Sequence, residues 1–309
     1  LYTKLMVSGQ EPMSYRGGLL EIIPKKSGEG CSAFRSILLS DVLSKSYHRL
    51  IRDRLVPTIE RVGQPLQLGV RTGSSLEMAS LYVRSLIQRA RSAKRCLSLL
   101  FLDVEAAYYQ ACRELIVGPS PQLERLRDIL VGKGFCESAV ALLLERVHVS
   151  PALTVQDLPE LAFRALKDML HSTWHQLRTS PLLTGTLLGT RPGDPLADAL
   201  FAILLASFLE ELTAKLLEAG LLGHASTSWS IPRTQPIDPG HCCLLGSDSW
   251  ADDIAIPLSS SDAASMRSDV ALAAKHIVDT GSSFGPVSYT HLTLPTNTVT
   301  WRSRWSPYH

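Results

Sequence analysis

The apolar positions of the chain fall into short blocks whose spacing changes from one segment to the next. Leu19-Leu20-Glu21-Ile22-Ile23-Pro24 is a brief apolar run closed by proline and two lysines, which predicts a strand entering a loop. Lys25-Lys26-Ser27-Gly28-Glu29-Gly30 has the glycine and charge of an exposed turn, and a second short strand around Phe34–Leu39 would complete a hairpin. Val42, Leu43, Tyr47, Leu50, Ile51 and Leu55 then recur at helical spacing with Arg and Lys on the other face, the pattern of an amphipathic helix. Ser74 and Glu77 form a capping-box pair, and Leu76, Ala79, Val83, Leu86, Ile87 and Ala90 continue from it as one helical stripe.

Leu97–Val104 is almost unbroken in apolar character apart from Ser98 and Asp103, which suits a strand buried on both faces. Residues 110–180 are helical in periodicity, with breaks at Gly118-Pro119 and near Pro151 and Pro159. Asp194-Pro195 reads as a helix start, an acceptor at the cap and proline in the first turn, with the helix running to about Leu217. Residues 229–240 are rich in Pro, Ser and Thr and read as a loop. Trp250–Ile256 places Asp252 and Asp253 inside an otherwise apolar hairpin, and no internal repeat is visible.

With 309 residues and 45% hydrophobic content the chain can bury a sizeable core, as one large or two ordinary domains. The richest apolar segment, Leu196–Leu212, is interrupted by Asp198, Glu210 and Glu211, so it suits a buried helix better than a membrane span. No membrane partner is expected. No charged-then-apolar leader is visible, so an intracellular place, nuclear or cytoplasmic, is expected rather than secretion. The six cysteines, at 31, 96, 112, 136, 242 and 243, form no C-x-x-C pair and read as free thiols of a reducing compartment. His171 and His175 stand at i, i+4 and could chelate a metal, but no third and fourth ligand stands at a sensible spacing.

Charge changes the picture more. Residues 1–99 carry 16 Lys/Arg against 7 Asp/Glu, or +9, whereas residues 100–285 carry 13 against 22, or −9. A basic part could face phosphates and an acidic part could hold divalent cations, although two ordinarily solvated surfaces would give the same count.

The last residues read differently. From about Pro286 the chain continues PVSYTHLTLPTN, TVT and WRSRWSPYH, which resembles the conceptual translation of a sequencing-library adapter. The codons TCT-TAT-ACA-CAT give Ser288–His291, and AGA-TCT-CGG-TGG-TCG-CCG-TAT-CAT gives Arg302–His309. Residues 286–309 are therefore set aside as a non-native tail, with the native sequence expected to differ after Gly285 and, since the chain opens at Leu1, to extend before it.

The chemistry rests on carboxylates placed where burial penalises them. Asp103 ends an apolar strand and Asp252-Asp253 interrupt another. A buried carboxylate costs several kcal/mol unless it has a cation or a partner, on the order of the values known for such groups. Hard divalent ions such as Mg²⁺ take oxygen ligands of this kind together with substrate phosphates. For each Asp alone, a strand-end cap or an ion pair is the simpler explanation.

Taken together, these blocks resemble the reverse transcriptase of LINE-like, non-LTR retrotransposons. FLDVEAAYY (101–109) is similar to polymerase motif A, in which an Asp binds metal and an aromatic five residues on is a steric gate against the ribose 2′-hydroxyl. Asp103 and Tyr108 hold those positions, and the resemblance implies metal coordination by the carbonyl of Val104. GTRPGDPLADALF (189–201) is similar to motif B and WADDIAIPL (250–258) to motif C. GGLLEIIPKK (17–26) and FRSILLSDVLSK (34–45) resemble the basic fingers segments, where Lys25 or Lys26, with Arg35, would meet the incoming triphosphate. QLGVRTGSS (67–75) matches the Q-x-G-x-R-x-G-x-S stretch before motif A. The resemblance covers roughly residues 12–258, with its five blocks in order.

What the resemblance implies is an α+β right-hand polymerase fold with a small antiparallel palm sheet. It places a fingers region at 1–95 and a palm at 96–285, with a helical insertion between motifs A and B, and no thumb. The implied activity is RNA-directed DNA synthesis on an RNA template, extending a DNA primer with dNTPs. Two Mg²⁺ ions, with Mn²⁺ as an alternative, would be held by Asp103, Val104, Asp252 and Asp253. Arg191, Gly193 and Asp194 would lie against the nucleotide and template. The sequence leaves the oligomeric state open. The departures are Pro192 for the usual Gln, Trp250 for Tyr or Phe, Ser36 for Pro, and a spacing of 149 residues from Asp103 to Asp252. The following Gly-Leu…Asn…Lys-Thr motif is absent, since the adapter-like tail begins there. Two other readings stay open. One is a catalytically inactive remnant that at most binds nucleic acid, and the other is a Mg²⁺-dependent phosphohydrolase built on paired aspartates.

Overall fold

A computed structural model describes residues 1–25, 30–69, 71–104, 107–222, 224–226, 242–244, 246–260 and 262–285. Lys26, the Pro/Ser/Thr-rich loop at 229–240 and the tail at 286–309 lie outside the described residues. In chain order the elements are α1 (Tyr2–Ser8), β1 (Gly17–Pro24), β2 (Phe34–Ser40), α2 (Val42–Val62), α3 (Leu76–Ala93), β3 (Cys96–Asp103), α4 (Ala107–Gln110), α5 (Glu114–Val117), α6 (Leu123–Gly132), α7 (Glu137–Val149), α8 (Glu160–Met169), β4 (Thr173–Leu177), β5 (Leu183–Thr186), α9 (Ala197–Glu218), β6 (His224–Ser226), β7 (Cys242–Leu244), β8 (Asp248–Trp250), β9 (Asp253–Ser260) and α10 (Ala263–Ser282). They divide into two units that interleave along the chain. One is drawn from Leu1–Gly63, Glu105–Phe208 and the segment from Gly281, the other from Gln64–Val104 and Leu209–Thr280.

The first unit holds a mixed four-stranded sheet in the order β2-β1-β4-β5. The expected hairpin forms, with Leu19 opposite Leu39 and Ile23 opposite Arg35. Asp41 then starts α2 by accepting from the Leu43 and Ser44 amides, which satisfies two of the donors a helix start leaves open. Tyr47, Ile51 and Leu55 on the inner face of α2 are fully buried, as their spacing predicts. Helices α1 and α2 pack on α8, and α5 and α6 pack on α7.

The helical periodicity expected over 110–180 holds to Met169 and then fails. Thr173–Leu177 is a strand that lies parallel to β1, with Trp174 beside Gly17, and β5 pairs antiparallel to it. A side chain at Gly17 would collide with the backbone carbonyl and ring of Trp174, so this close approach depends on glycine. His175 therefore sits in a strand, and the i, i+4 helical geometry that a His171–His175 chelate would need is not formed.

Helix α9 begins just after Asp194-Pro195 and is apolar nearly all round; Leu200, Ile203, Leu209, Leu212 and Leu216 are all buried. Among the described residues no helix is long and apolar enough to cross a membrane.

The second unit contains an antiparallel sheet in the order β3-β9-β8 and a short β6–β7 pair. Helix α3 covers β3, and Val83 and Leu86 pack with Leu99 and Ala255 in one apolar cluster. The expected capping box does not form: α3 starts at Leu76 after Ser75, which makes no side-chain cap bond. Helix α10, whose apolar stripe was not singled out in the sequence, completes the unit.

Candidate functional site

In the second unit, strands β3 and β9 run antiparallel through Leu102 opposite Ile254 and end with Asp103 opposite Asp253. Side chains directly opposite in such a pair share one face, with Cβ atoms roughly 4.5–5.5 Å apart. Asp252 lies in the two-residue connection between β8 and β9, beside Ala251. Ala251 has φ 56, a left-handed conformation that a residue with a Cβ seldom adopts, so the tip of this hairpin is held under strain. All three carboxylates are half-buried, and their neighbours Leu100, Leu102, Ile254 and Ile256 alternate to the opposite face of the sheet, where they are buried.

The stretch 67–75 has a physical task in this unit. The Leu68 amide donates to the Ser249 carbonyl at 2.9 Å, and the Ser249 amide to the Leu66 carbonyl at 3.0 Å, so this segment runs as a partial extra strand beside β8. Gly69 lies so close to the Ala251 amide that an added Cβ would overlap it. The glycine is what lets the backing strand support the strained tip.

Asp248, four positions before Asp252, went unremarked in the sequence. It is 1% exposed, and neither carboxylate oxygen has a hydrogen-bond partner among the described residues. Burial pushes its carboxyl up to about 7.

The first unit gathers the other expected residues. Lys25 at the end of β1 and Arg35 on β2 are both exposed. Tyr108, in the short helix α4, is half-buried, with its ring 5.0 Å from that of Phe201. Its carbonyl accepts from the Thr190 amide at 2.6 Å, and the Ala111 carbonyl accepts from the Gly189 amide at 2.8 Å. The segment around α4 is thus laced to the loop that precedes α9. A Cβ on Gly189 would stand 2.8 Å from the Tyr109 carbonyl, so this lacing requires glycine, as its φ of 88 also does.

On the far side of that loop, the Leu38 amide of β2 donates to the Pro192 carbonyl at 2.8 Å, and Gly193 abuts the Leu38 carbonyl. The close approach that Gly193 permits in this structure is to strand β2. A cavity of about 60 Å³, lined among others by Tyr108, Arg113, Gly189 and Arg191, lies beside this junction.

Arg191 and Asp194 are both interior. Asp194 accepts from the Leu196 amide at 2.9 Å, which starts α9 as its position predicts. Its other oxygen lies 2.6 Å from His48 Nδ1 and 3.6 Å from the Arg191 guanidinium. His48 Nε2 in turn lies 2.9 Å from Glu11 Oε2. Burial works against the ionised Asp194, but Arg191 and His48 outweigh it and hold its carboxyl below the usual range. Burial alone would lower His48, whereas the hydrogen bonds to Asp194 and Glu11 raise it on balance.

Arg113, also unforeseen, is 3% exposed and has no ion pair with a carboxylate among the described residues. Its guanidinium donates to the carbonyls of Leu170, Thr186, Leu188 and Gly189 and to the hydroxyls of Thr173 and Thr186. This fan of bonds ties β4, β5 and the motif B loop to one planar group, a task that a lysine ammonium cannot copy.

No family model and no curated protein sequence matches the chain. Among solved structures it is similar to apo telomerase from Candida tropicalis truncated from the C-terminal domain, at 12% identity and TM-score 0.51, over 94% of this chain and 51% of that one. It also matches telomerase from Candida albicans in complex with a fragment of telomeric RNA, at 13% identity and TM-score 0.47, over 97% of this chain and 46% of that one. The chain thus spans about half the length of these structures. The first likeness shows the fold alone: a mixed α+β chain folded like part of that telomerase structure.

Proposed function

We propose that the chain is part of an RNA-directed DNA polymerase of the LINE-like type, with the β3-β9-β8 sheet as its palm and the β1–β2 hairpin as part of its fingers. The observation that carries this reading is the pairing of Asp103 with Asp253 across β3 and β9, with Asp252 in the adjoining turn. Two carboxylates facing each other on one sheet face repel, and a divalent cation turns that cost into a binding site.

Among the described residues no group of three or more His, Cys, Asp or Glu side chains forms a cage for a metal ion. Mg²⁺ does not require one, because it binds through one or two carboxylates and completes its shell with water and substrate phosphates. The three aspartates fit that mode, with the Val104 carbonyl at the end of the same strand. When bound, two Mg²⁺ ions, or Mn²⁺ in their place, would supply the charge that activates a primer 3′-hydroxyl and stabilises leaving pyrophosphate.

The remaining roles belong to the chain's own groups. Lys25, Lys26 and Arg35 would hold the triphosphate of an incoming dNTP through charge-assisted contacts. Tyr108, braced by Phe201 and by the Thr190 amide, would bar a ribose 2′-hydroxyl. Arg191, Gly193 and Asp194 would shape the turn against which nucleotide and template rest. The partners of this reading are an RNA template, a DNA primer and dNTPs.

The test sets RNA-templated primer extension against release of inorganic phosphate from nucleotides in the absence of a template. Incorporation that follows the template supports a polymerase. Template-independent hydrolysis without incorporation would overturn it in favour of a phosphohydrolase.

A further inference from the structure

Glu11, His48 and Asp194 come from the segment before β1, from α2 and from the turn before α9, yet their side chains meet in the interior at 0–1% exposure. Each imidazole nitrogen faces a carboxylate oxygen, at 2.6 Å to Asp194 and 2.9 Å to Glu11. With both carboxylates ionised each can only accept, so both nitrogens donate, and a ring that donates from both nitrogens is an imidazolium. The second oxygen of the Glu11 carboxylate, Oε1, is buried without a hydrogen-bond partner among the described residues.

The charges facing His48 are Glu11 on one side, and Asp194 with Arg191 on the other. With the ring protonated, these four groups sum to zero. With it neutral they leave one buried negative charge and a ring lone pair aimed at a carboxylate oxygen. The chain of contacts continues outward. The Glu11 amide donates to Asp168 Oδ2 at 2.9 Å, and Arg16 bridges the Glu11 carbonyl and Asp168.

The geometry points to a positioning role for His48: the Glu11–His48–Asp194 chain clamps the turn from Arg191 to Asp194, and the imidazolium form keeps that turn in its working shape. One feature of the turn needs such a clamp: Arg191 has φ 62, unfavourable for a side-chain-bearing residue, whereas glycine at 193 takes its φ of 103 freely. The same turn carries the Pro192 carbonyl that anchors β2, so its shape sets where Arg35's strand lies against motif B. His48 acts through Asp194 and Arg191 and is not placed on substrate. The role rests on the polymerase reading, whereas the charge state of the ring does not.

The test has two arms, both on the full chain. Nitrogen-detected spectra of histidine-labelled protein between about pH 6 and 9 report the protonation of His48 directly. Doubly protonated nitrogens persisting above the ordinary histidine range support the clamp, and a singly protonated ring at neutral pH overturns it. In the second arm, RNA-templated extension is compared for wild type and H48Q. The clamp predicts a dNTP KM raised about tenfold with kcat changed less than about twofold; unchanged KM overturns the positioning role. Should H48Q not fold, E11Q decides: it keeps size and an acceptor but removes one charge, and it should bring the His48 titration down and raise KM in a pH-dependent way. A titration and KM identical to wild type would contradict the clamp. If wild-type protein extends no primer, the polymerase reading fails on its own and the spectral arm still decides the state of His48.

Discussion

Asp103 and Asp253 face one another across the β3–β9 ladder, the last residue of one strand against the first of the next. Two like charges directly opposite each other on a sheet destabilise it unless a cation or another partner offsets them. D253N should therefore leave the metal-free protein as stable as wild type or slightly more so. Mg²⁺ should raise the wild-type melting temperature, with about 1.4 kcal/mol gained at tenfold the dissociation constant, and should leave D253N unmoved. Melting curves with and without Mg²⁺ check this; equal shifts in both proteins would remove Asp253 from the ion site.

Gly69 makes a second, independent claim. Its Cα lies where an added methyl overlaps the Ala251 amide. G69A should cost about 1–3 kcal/mol, as forced overpacking does, through displacement of the hairpin tip that carries Asp252. Gly132, at the end of α6 with nothing near its missing Cβ, is the control, and G132A should be neutral or slightly stabilising. Urea unfolding of the two variants separates a packing effect from a general intolerance of alanine.

The buried carboxyl of Asp248 predicts a pH effect of definite sign. Its folded value, raised to about 7, lies above that of an unfolded Asp. Between the two values the folded state holds a proton that the unfolded state has lost, so this group makes stability fall as pH rises from about 4 to about 7. D248N removes the ionising group. It should be more stable than wild type at pH 8, by on the order of 2–4 kcal/mol, and should lose that advantage near pH 4. Chemical unfolding at the two pH values checks it, and an advantage independent of pH would contradict a buried titrating carboxyl.

Arg113 donates to four backbone carbonyls and two hydroxyls inside the first unit. R113M should destabilise by more than about 3 kcal/mol, since several buried acceptors lose their donors together. R113K should recover little of that loss, because one ammonium cannot reach acceptors arranged around a planar fork. Recovery to within a few tenths of a kcal/mol, on the order of a surface substitution, would show that only the charge matters.

What the sequence discloses of this molecule is what is local. The β1–β2 hairpin, α2, the buried strand β3, α9 and the Asp252–Asp253 hairpin each carry their own periodicity or turn residues, and each is where that pattern places it. Strand β4 carries no such signal. Thr173–Leu177 contains Trp, His and Gln in a stretch without alternation, and its partner β1 lies far earlier in the chain, so only the tertiary fold makes it a strand. The capping box does not form because the helix starts at Leu76 with Ser75 at the cap, one residue later than the Ser74–Glu77 spacing requires. The clamp on Asp194 was hidden by distance: His48 reads as one more polar position on α2, and its partners stand 37 and 146 residues away. Asp194 itself was legible, but as a helix cap and a motif residue, not as the end of a buried charge chain. Arg113 and Asp248 are ordinary charged residues until burial is known.

The measurement that bears most directly on the polymerase reading is RNA-templated primer extension by wild type and D252N, run beside RNA binding by both. The account predicts Mg²⁺-dependent extension by wild type. It predicts loss of extension in D252N by about a thousandfold or more, with RNA affinity changed little, because the proposal assigns Asp252, at the tip of the β8–β9 hairpin, to the ion and not to a phosphate. Extension by D252N at the wild-type rate would contradict the assignment of the β3–β9 aspartates as the reaction centre.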